Sequence, residues 1–160
     1  MNKLMQQFQT LLTSLDSAGD WLAPLVLRLI LAKEFWDAGM AKLNGNNWLI
    51  DIQSQIPFPF SLLSPEIGWH LVTAFEIIGP VALVIGLGTR FFAASLSLLI
   101  LVAIATVHVG HGYTISEGGW KLPLLHLAML LPLILSGPGK LSLDHWLRQR
   151  FAQTERRLWS

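Results

Sequence analysis

The sequence predicts an all-α fold: a four-helix transmembrane bundle with short interfacial helices at both termini and in the first outer loop. Three observations predict it. The 160 residues are 52% apolar and only 13% charged, with a mean hydropathy of +0.52, whereas a soluble domain carries about 25% charge. The apolar residues gather into four spans, about 21–43, 66–87, 90–108 and 120–136. Lysine and arginine crowd onto one side of those spans.

The same numbers exclude other classes. A net charge of +1 leaves no footprint for nucleic acid. Disorder needs low hydrophobicity and high net charge, and neither holds. With no cysteine, the chain has no disulfide, thiolate metal site, iron–sulfur cluster or CxxC pair of its own. The length suits one domain, residues 1–160, and no repeat or internal boundary interrupts it.

Along the chain, Leu4, Met5, Phe8, Leu11, Leu12 and Leu15 recur at helical spacing between polar residues and predict a helix lying on the bilayer surface. A cleaved signal peptide is not expected. The apolar stretch begins only at residue 21, and charges rather than a small-residue cleavage site follow it. The first span holds Pro24 in its first turn, where proline is tolerated. It also contains Arg28, Lys33, Glu34 and Asp37, each costing about 2.5–3.5 kcal/mol at the centre of an inserted helix. The span is kept because its remaining residues are strongly apolar and three neighbours can shield its polar face.

In the outer loop, Trp48, Leu49, Ile52 and Ile56 suggest another surface helix, stopped by Pro57-Phe58-Pro59-Phe60. Ser64-Pro65-Glu66 reads as N-cap, first-position proline and first-turn acid of the second span. Gly86-Leu87-Gly88-Thr89-Arg90 is a short turn into the third span, whose stretch Phe91–Val107 holds no charge in 17 residues. Gly137-Pro138-Gly139 stops the fourth span. Leu143, Trp146, Leu147 and Phe151, interleaved with arginines, predict a second interfacial helix.

Four spans put Lys3, Arg90, Lys140, Arg148, Arg150, Arg156 and Arg157 on one side, against Lys42 and Lys121 on the other. By the positive-inside rule both termini are cytoplasmic. Lys42, Arg90 and Lys121 read as span-end anchors whose long stems reach the interface.

Ionisable residues within spans are functional hypotheses by default. Lys33, Glu34 and Asp37 share one helical face, and Lys33 and Asp37 are spaced to pair. Arg28 lies off that arc, either snorkelling toward the cytoplasm or pairing with a neighbouring helix. Glu76 lies deep in the second span and needs a partner or a proton. Pro80 frees the Glu76 carbonyl, and Gly79 would allow a close approach to it. This polar cluster reads either as a charge network that fixes packing or as a site for protons, a quinone or a small polar ligand.

The histidines form a second constellation. His108 and His111 stand three apart at the end of the third span, and His70 and His126 lie toward the same outer half. Neutral imidazoles so placed suit copper or zinc, or else the headgroups and water of the interface. No nucleophile elbow, phosphate loop, dinucleotide fingerprint or HExxH marks a catalyst. Outward-facing small residues such as Ala93 and Ser97 would serve packing within the bundle or between copies.

This pattern resembles the DoxX family of small four-span membrane proteins. The residues that carry the resemblance are Arg28-Leu29, Phe35, Gly39, Lys42-Leu43, Glu76, Gly79, the Gly86–Arg90 turn, and Gly137-Pro138-Gly139-Lys140-Leu141-Ser142-Leu143-Asp144. It is most similar to the HvfX subgroup through residues 33–39, the Pro57-Phe58-Pro59-Phe60 loop and Lys121-Leu122-Pro123-Leu124-Leu125, where DoxX proteins more often carry an acid at the position of Lys121. The resemblance implies an inner-membrane accessory role in maturing or exporting a copper-binding modified peptide, or in copper and oxidative-stress handling. DUF692- and DUF2063-type maturation proteins and a cysteine-rich peptide would be its partners. Other DoxX relatives imply a quinone-linked subunit of an oxidoreductase, and a scaffold without a ligand is the third expectation.

Overall fold

The computed structural model describes residues 3–158, and among them it is helical throughout with no strand. The side chains of Arg156 and Arg157, counted above among the cytoplasmic charges, lie outside the described residues. Five α-helices run in order: α1 (Lys3–Leu43), α2 (Pro65–Ile85), α3 (Thr89–Ala103), α4 (Lys121–Leu135) and α5 (Leu143–Leu158). α1 packs on α2, α2 on α3, α3 on α4, and α4 back on α1, so the first four close a ring. Its core is Leu31, Ala32, Phe35, Leu83, Ala93, Leu96, Ile100, Leu130 and Leu133. Ala93, expected to face outward, is fully buried there instead and packs within the ring.

α2 and the 23-residue stretch Thr89–His111 are long and apolar enough to cross a membrane, while α4 is a shorter apolar helix. The helices α1 to α4 end within a few residues of the apolar segments read from sequence, apart from the beginning of α1 and the end of α3, where the turns to His111 follow.

Two expected surface helices are corrected. The N-terminal segment is not a separate interfacial helix: α1 runs unbroken for 41 residues. Nothing around Gly19 stops it, and Pro24 sits inside the helix rather than in its first turn. Proline cannot donate to the carbonyl of Asp20. The backbone N–H of Lys140 supplies that bond instead, at 3.3 Å, while the Lys140 Nζ lies 2.7 Å from the Asp20 carboxylate. The approach is close because Gly139 is left-handed, and a Cβ there would stand 2.9 Å from Pro24 Cβ. The outer loop is likewise not an α-helix but three 3₁₀ turns, at Trp48–Ile50, Gln53–Gln55 and Phe60–Leu62. Its backbone bonds are completed by side chains, with Asn47 Oδ1 accepting from Leu49 N and Gln53 Nε2 donating to the carbonyls of Ser61 and Leu63.

The caps of α2 are as the sequence reads them. Ser64 Oγ accepts from Ile67 N, and Gly86 closes the helix in the left-handed conformation. α3 begins at Gly88, which has no side chain to cap with. The Asp144 carboxylate does so from across the chain, accepting from Gly88 N at 2.8 Å and Thr89 N at 3.0 Å. α3 gives way to a π-turn at Ile104–His108 and a 3₁₀ turn at Val109–His111.

Candidate functional site

Glu76 is buried, with 8% of its surface exposed, on the face of α2 that meets α1. Its partner is Lys42, whose Nζ lies 2.6 Å from Glu76 Oε2. This corrects the reading of Lys42 as an outer anchor. The side chain turns inward because α1 and α2 are close here. Gly39, one helical turn before Lys42, faces the backbone of Glu76 and the side chain of Ile77, and a Cβ would stand 2.8 Å from the Glu76 carbonyl oxygen. That is the carbonyl Pro80 leaves without its helical donor. Gly39 therefore makes the close approach expected of Gly79, which packs instead on Leu96.

The Lys42–Glu76 pair lines an apolar cavity of about 280 Å³ between α2, α3 and the outer loop. Phe75, Leu98, Leu99 and Val102 form much of its wall, while Trp48 and Phe60 of the 3₁₀ turns, with Ile52 between them, border it from the loop. Trp48 is held by an edge-on contact with Trp69, the ring centroids 5.7 Å apart. The π-turn adds Thr106 and Val107, and Thr106 returns its hydroxyl hydrogen bond to the carbonyl of Val102 at 2.8 Å. A π-turn beside a cavity is a recurrent feature of functional sites. An apolar pocket with a few convergent polar groups is the usual form of a small-molecule site. Here the ammonium donates and the carboxylate accepts, so the site suits a molecule with an apolar body and an oxygen-bearing head.

The other charges of the expected cluster are distributed elsewhere. Lys33 and Asp37 pair with each other on the outer surface of α1. Glu34 lies 3.7 Å from His126 Nε2 of α4, with the Phe35 ring beside that imidazole. Arg28 is fully buried at the end of the ring where α2 finishes, and it does not snorkel. Its guanidinium donates to the carbonyl of Leu83 at 3.3 Å and to that of Leu141. Leu87 N bonds to Ala82 O rather than to Leu83 O, so Arg28 serves a terminal carbonyl of α2 and ties it to the segment before α5. Arg90, in the first turn of α3 rather than in the connecting turn, does the same for α4, donating to the carbonyl of Leu135 at 3.0 Å. Lys121 lies over the Tyr113 ring, 5.7 Å from its centroid.

The four histidines are not brought together into a shared centre. His126 belongs to the Glu34 contact, His70 is exposed at the start of α2, and His108 donates from Nδ1 to the carbonyl of Gly118 at 2.6 Å. His108 ends the π-turn and His111 ends the 3₁₀ turn that follows it. Among the described residues no group of three or more His, Cys, Asp or Glu is placed to hold a metal ion.

Sequence reasoning overlooked two roles. The sequence signal for Lys42 was the Gly39-x-x-Lys42 spacing, which puts a bare backbone and a cation on one face toward α2. For Asp144 it was the glycine at the N-cap of α3, which needs a donor-satisfying carboxylate from elsewhere.

Comparisons with known proteins identify the family of the chain. The chain is 45% identical over 130 residues to an uncharacterized protein of Haemophilus influenzae strain Rd, a match covering 81% of this chain and 86% of that protein. No solved structure matches. The profile of the DoxX family matches residues 23–109, the stretch that holds Arg28, Gly39, Lys42, Glu76 and the Gly86–Arg90 turn. With two apolar helices of membrane-crossing length, this is a membrane protein, and the chain belongs to the DoxX family.

Proposed function

We propose that the protein crosses the bacterial inner membrane four times, as α1 to α4 with both termini cytoplasmic, and binds a lipid-soluble quinone in the cavity beside Lys42 and Glu76. The observation that carries this reading is the buried ion pair on the wall of an apolar cavity. A charged pair in a hydrocarbon setting is costly to retain and marks a ligand or proton path. A quinone has the matching form, a ring bearing two oxygens on an isoprenoid tail. Lys42 would donate to a quinone oxygen, and Glu76 would accept from a hydroquinone hydroxyl. Electrons would come from a partner, because this chain contains no cysteine and no redox-cofactor motif. The orientation is supported by Arg90, Lys140, Arg148 and Arg150 at one end of the ring, with Lys42 drawn inward from the other.

The test is a lipid extract of protein purified in mild detergent, analysed for quinone and, on the same sample, for metal. Quinone retained by the wild type and reduced at least about tenfold in Glu76→Gln supports the reading, since a charge-assisted hydrogen bond is worth that much. Copper without quinone would instead support the accessory role in a copper-binding peptide system that the HvfX resemblance implies. Neither would leave the scaffold.

A further inference from the structure

The Lys33–Asp37 pair is out of place on the surface of a membrane protein. Its side chains are 71% and 59% exposed, yet neither lies at an end of the helix ring. On α1 they fall between Arg28, which reaches Leu83 near the end of α2, and Gly39, which packs against Glu76 in its middle. They therefore flank the apolar body of α2. Ionisable residues at such depth almost always face other protein or a water-filled cavity, not lipid.

Beside the pair is a groove of about 380 Å³ between α1 and α2, with Ala32 and Pro80 among its lining and the half-exposed Trp36 at its edge. We infer that this face is an interface with a second copy of the same chain. The inference rests on the membrane-crossing part of the function proposed above and not on the quinone.

The occupant is argued from self-complementarity. Two copies inserted in the same sense meet about a two-fold axis along the membrane normal, and each presents the same patch. A cation and an anion one helical turn apart then let Lys33 of each copy reach Asp37 of the other, giving a neutral network of four charges. The Trp36 indole of each copy has the other's groove to enter. A large aromatic entering an apolar groove and flanked by desolvated charges is the usual form of an interface hot spot.

The absence of native cysteine makes the test direct. Leu29→Cys on this face and Leu101→Cys on α3 are expressed separately, and membranes are oxidised and read for a disulfide-linked dimer. The expected result is a dimer from Leu29→Cys and little from Leu101→Cys. Adding Lys33→Asp places like charges across the axis and is expected to reduce the dimer about tenfold or more. Adding Asp37→Lys to that variant restores opposite signs and the dimer. Equal cross-linking at both positions, indifference to Lys33→Asp, or capture of a different chain at residue 29 would overturn the inference. Alkaline extraction of the same membranes separates the two levels. Release of the chain contradicts the membrane reading, whereas a retained monomer contradicts only this interface.

Discussion

The Lys42 ammonium and the Glu76 carboxylate, 2.6 Å apart, join the end of α1 to the middle of α2 beside a cavity that is otherwise mostly apolar. Breaking one side of such a pair strands a buried charge at a cost of about 3–5 kcal/mol, whereas replacing both with apolar groups is often neutral. Lys42→Met is therefore expected to lower the thermal midpoint in detergent markedly, and Lys42→Met/Glu76→Leu to recover most of the loss. Any ligand-binding role remains absent from the double variant, so the pair's stability and function are separable.

Gly39 sets the distance at which that pair forms. Gly39→Ala would place a methyl 2.8 Å from the Glu76 carbonyl oxygen, a backbone atom that cannot rotate away. Forcing α1 from α2 is expected to cost about 1–3 kcal/mol. Gly110→Ala, which meets nothing within 4 Å, serves as the control and should leave the melting temperature within experimental scatter.

Asp144 caps a helix to which it does not belong. Asp144→Ala leaves Gly88 N and Thr89 N without their acceptor and is expected to cost about 0.5–2 kcal/mol. Asp144→Asn keeps one carbonyl oxygen and should lose less. Thermal unfolding of both variants, with hydrogen exchange at residues 88–91, checks the order.

Arg28 serves two carbonyls on separate segments, which a lysine cannot do with one nitrogen at both places. Arg28→Lys is expected to behave nearly as badly as Arg28→Met, because each buried carbonyl left unpaired costs about 1–3 kcal/mol. Limited proteolysis within residues 137–142 reports the loosened segment directly.

What the sequence made legible follows from how local each feature is. The ends of α2 could be read because Ser64, Pro65 and Gly86 act within a turn of themselves. The unbroken α1 could not be read, because the donor that replaces Pro24 comes from Lys140, far along the chain. Lys42 looked like an anchor because its inward turn depends on how closely Gly39 lets two helices approach. The charges of the first two apolar segments read as one polar cluster, but its members separate once the helices pack: Glu34 to His126, Arg28 to α2's last turn, and Lys33 and Asp37 outward. The histidines were not legible as a group for the same reason: His126 meets Glu34, and His108 donates to the carbonyl of Gly118.

The central claim is that the cavity beside Lys42 and Glu76 takes a quinone, and its most direct test is a binding titration. A short-tailed quinone is added to the protein in nanodiscs while tryptophan fluorescence is followed, with Trp48 at the cavity. The account predicts saturable quenching in the wild type and a Kd raised about tenfold or more in Lys42→Met, the loss of one charge-assisted hydrogen bond. Identical isotherms for the two proteins, or quenching that never saturates, would contradict it.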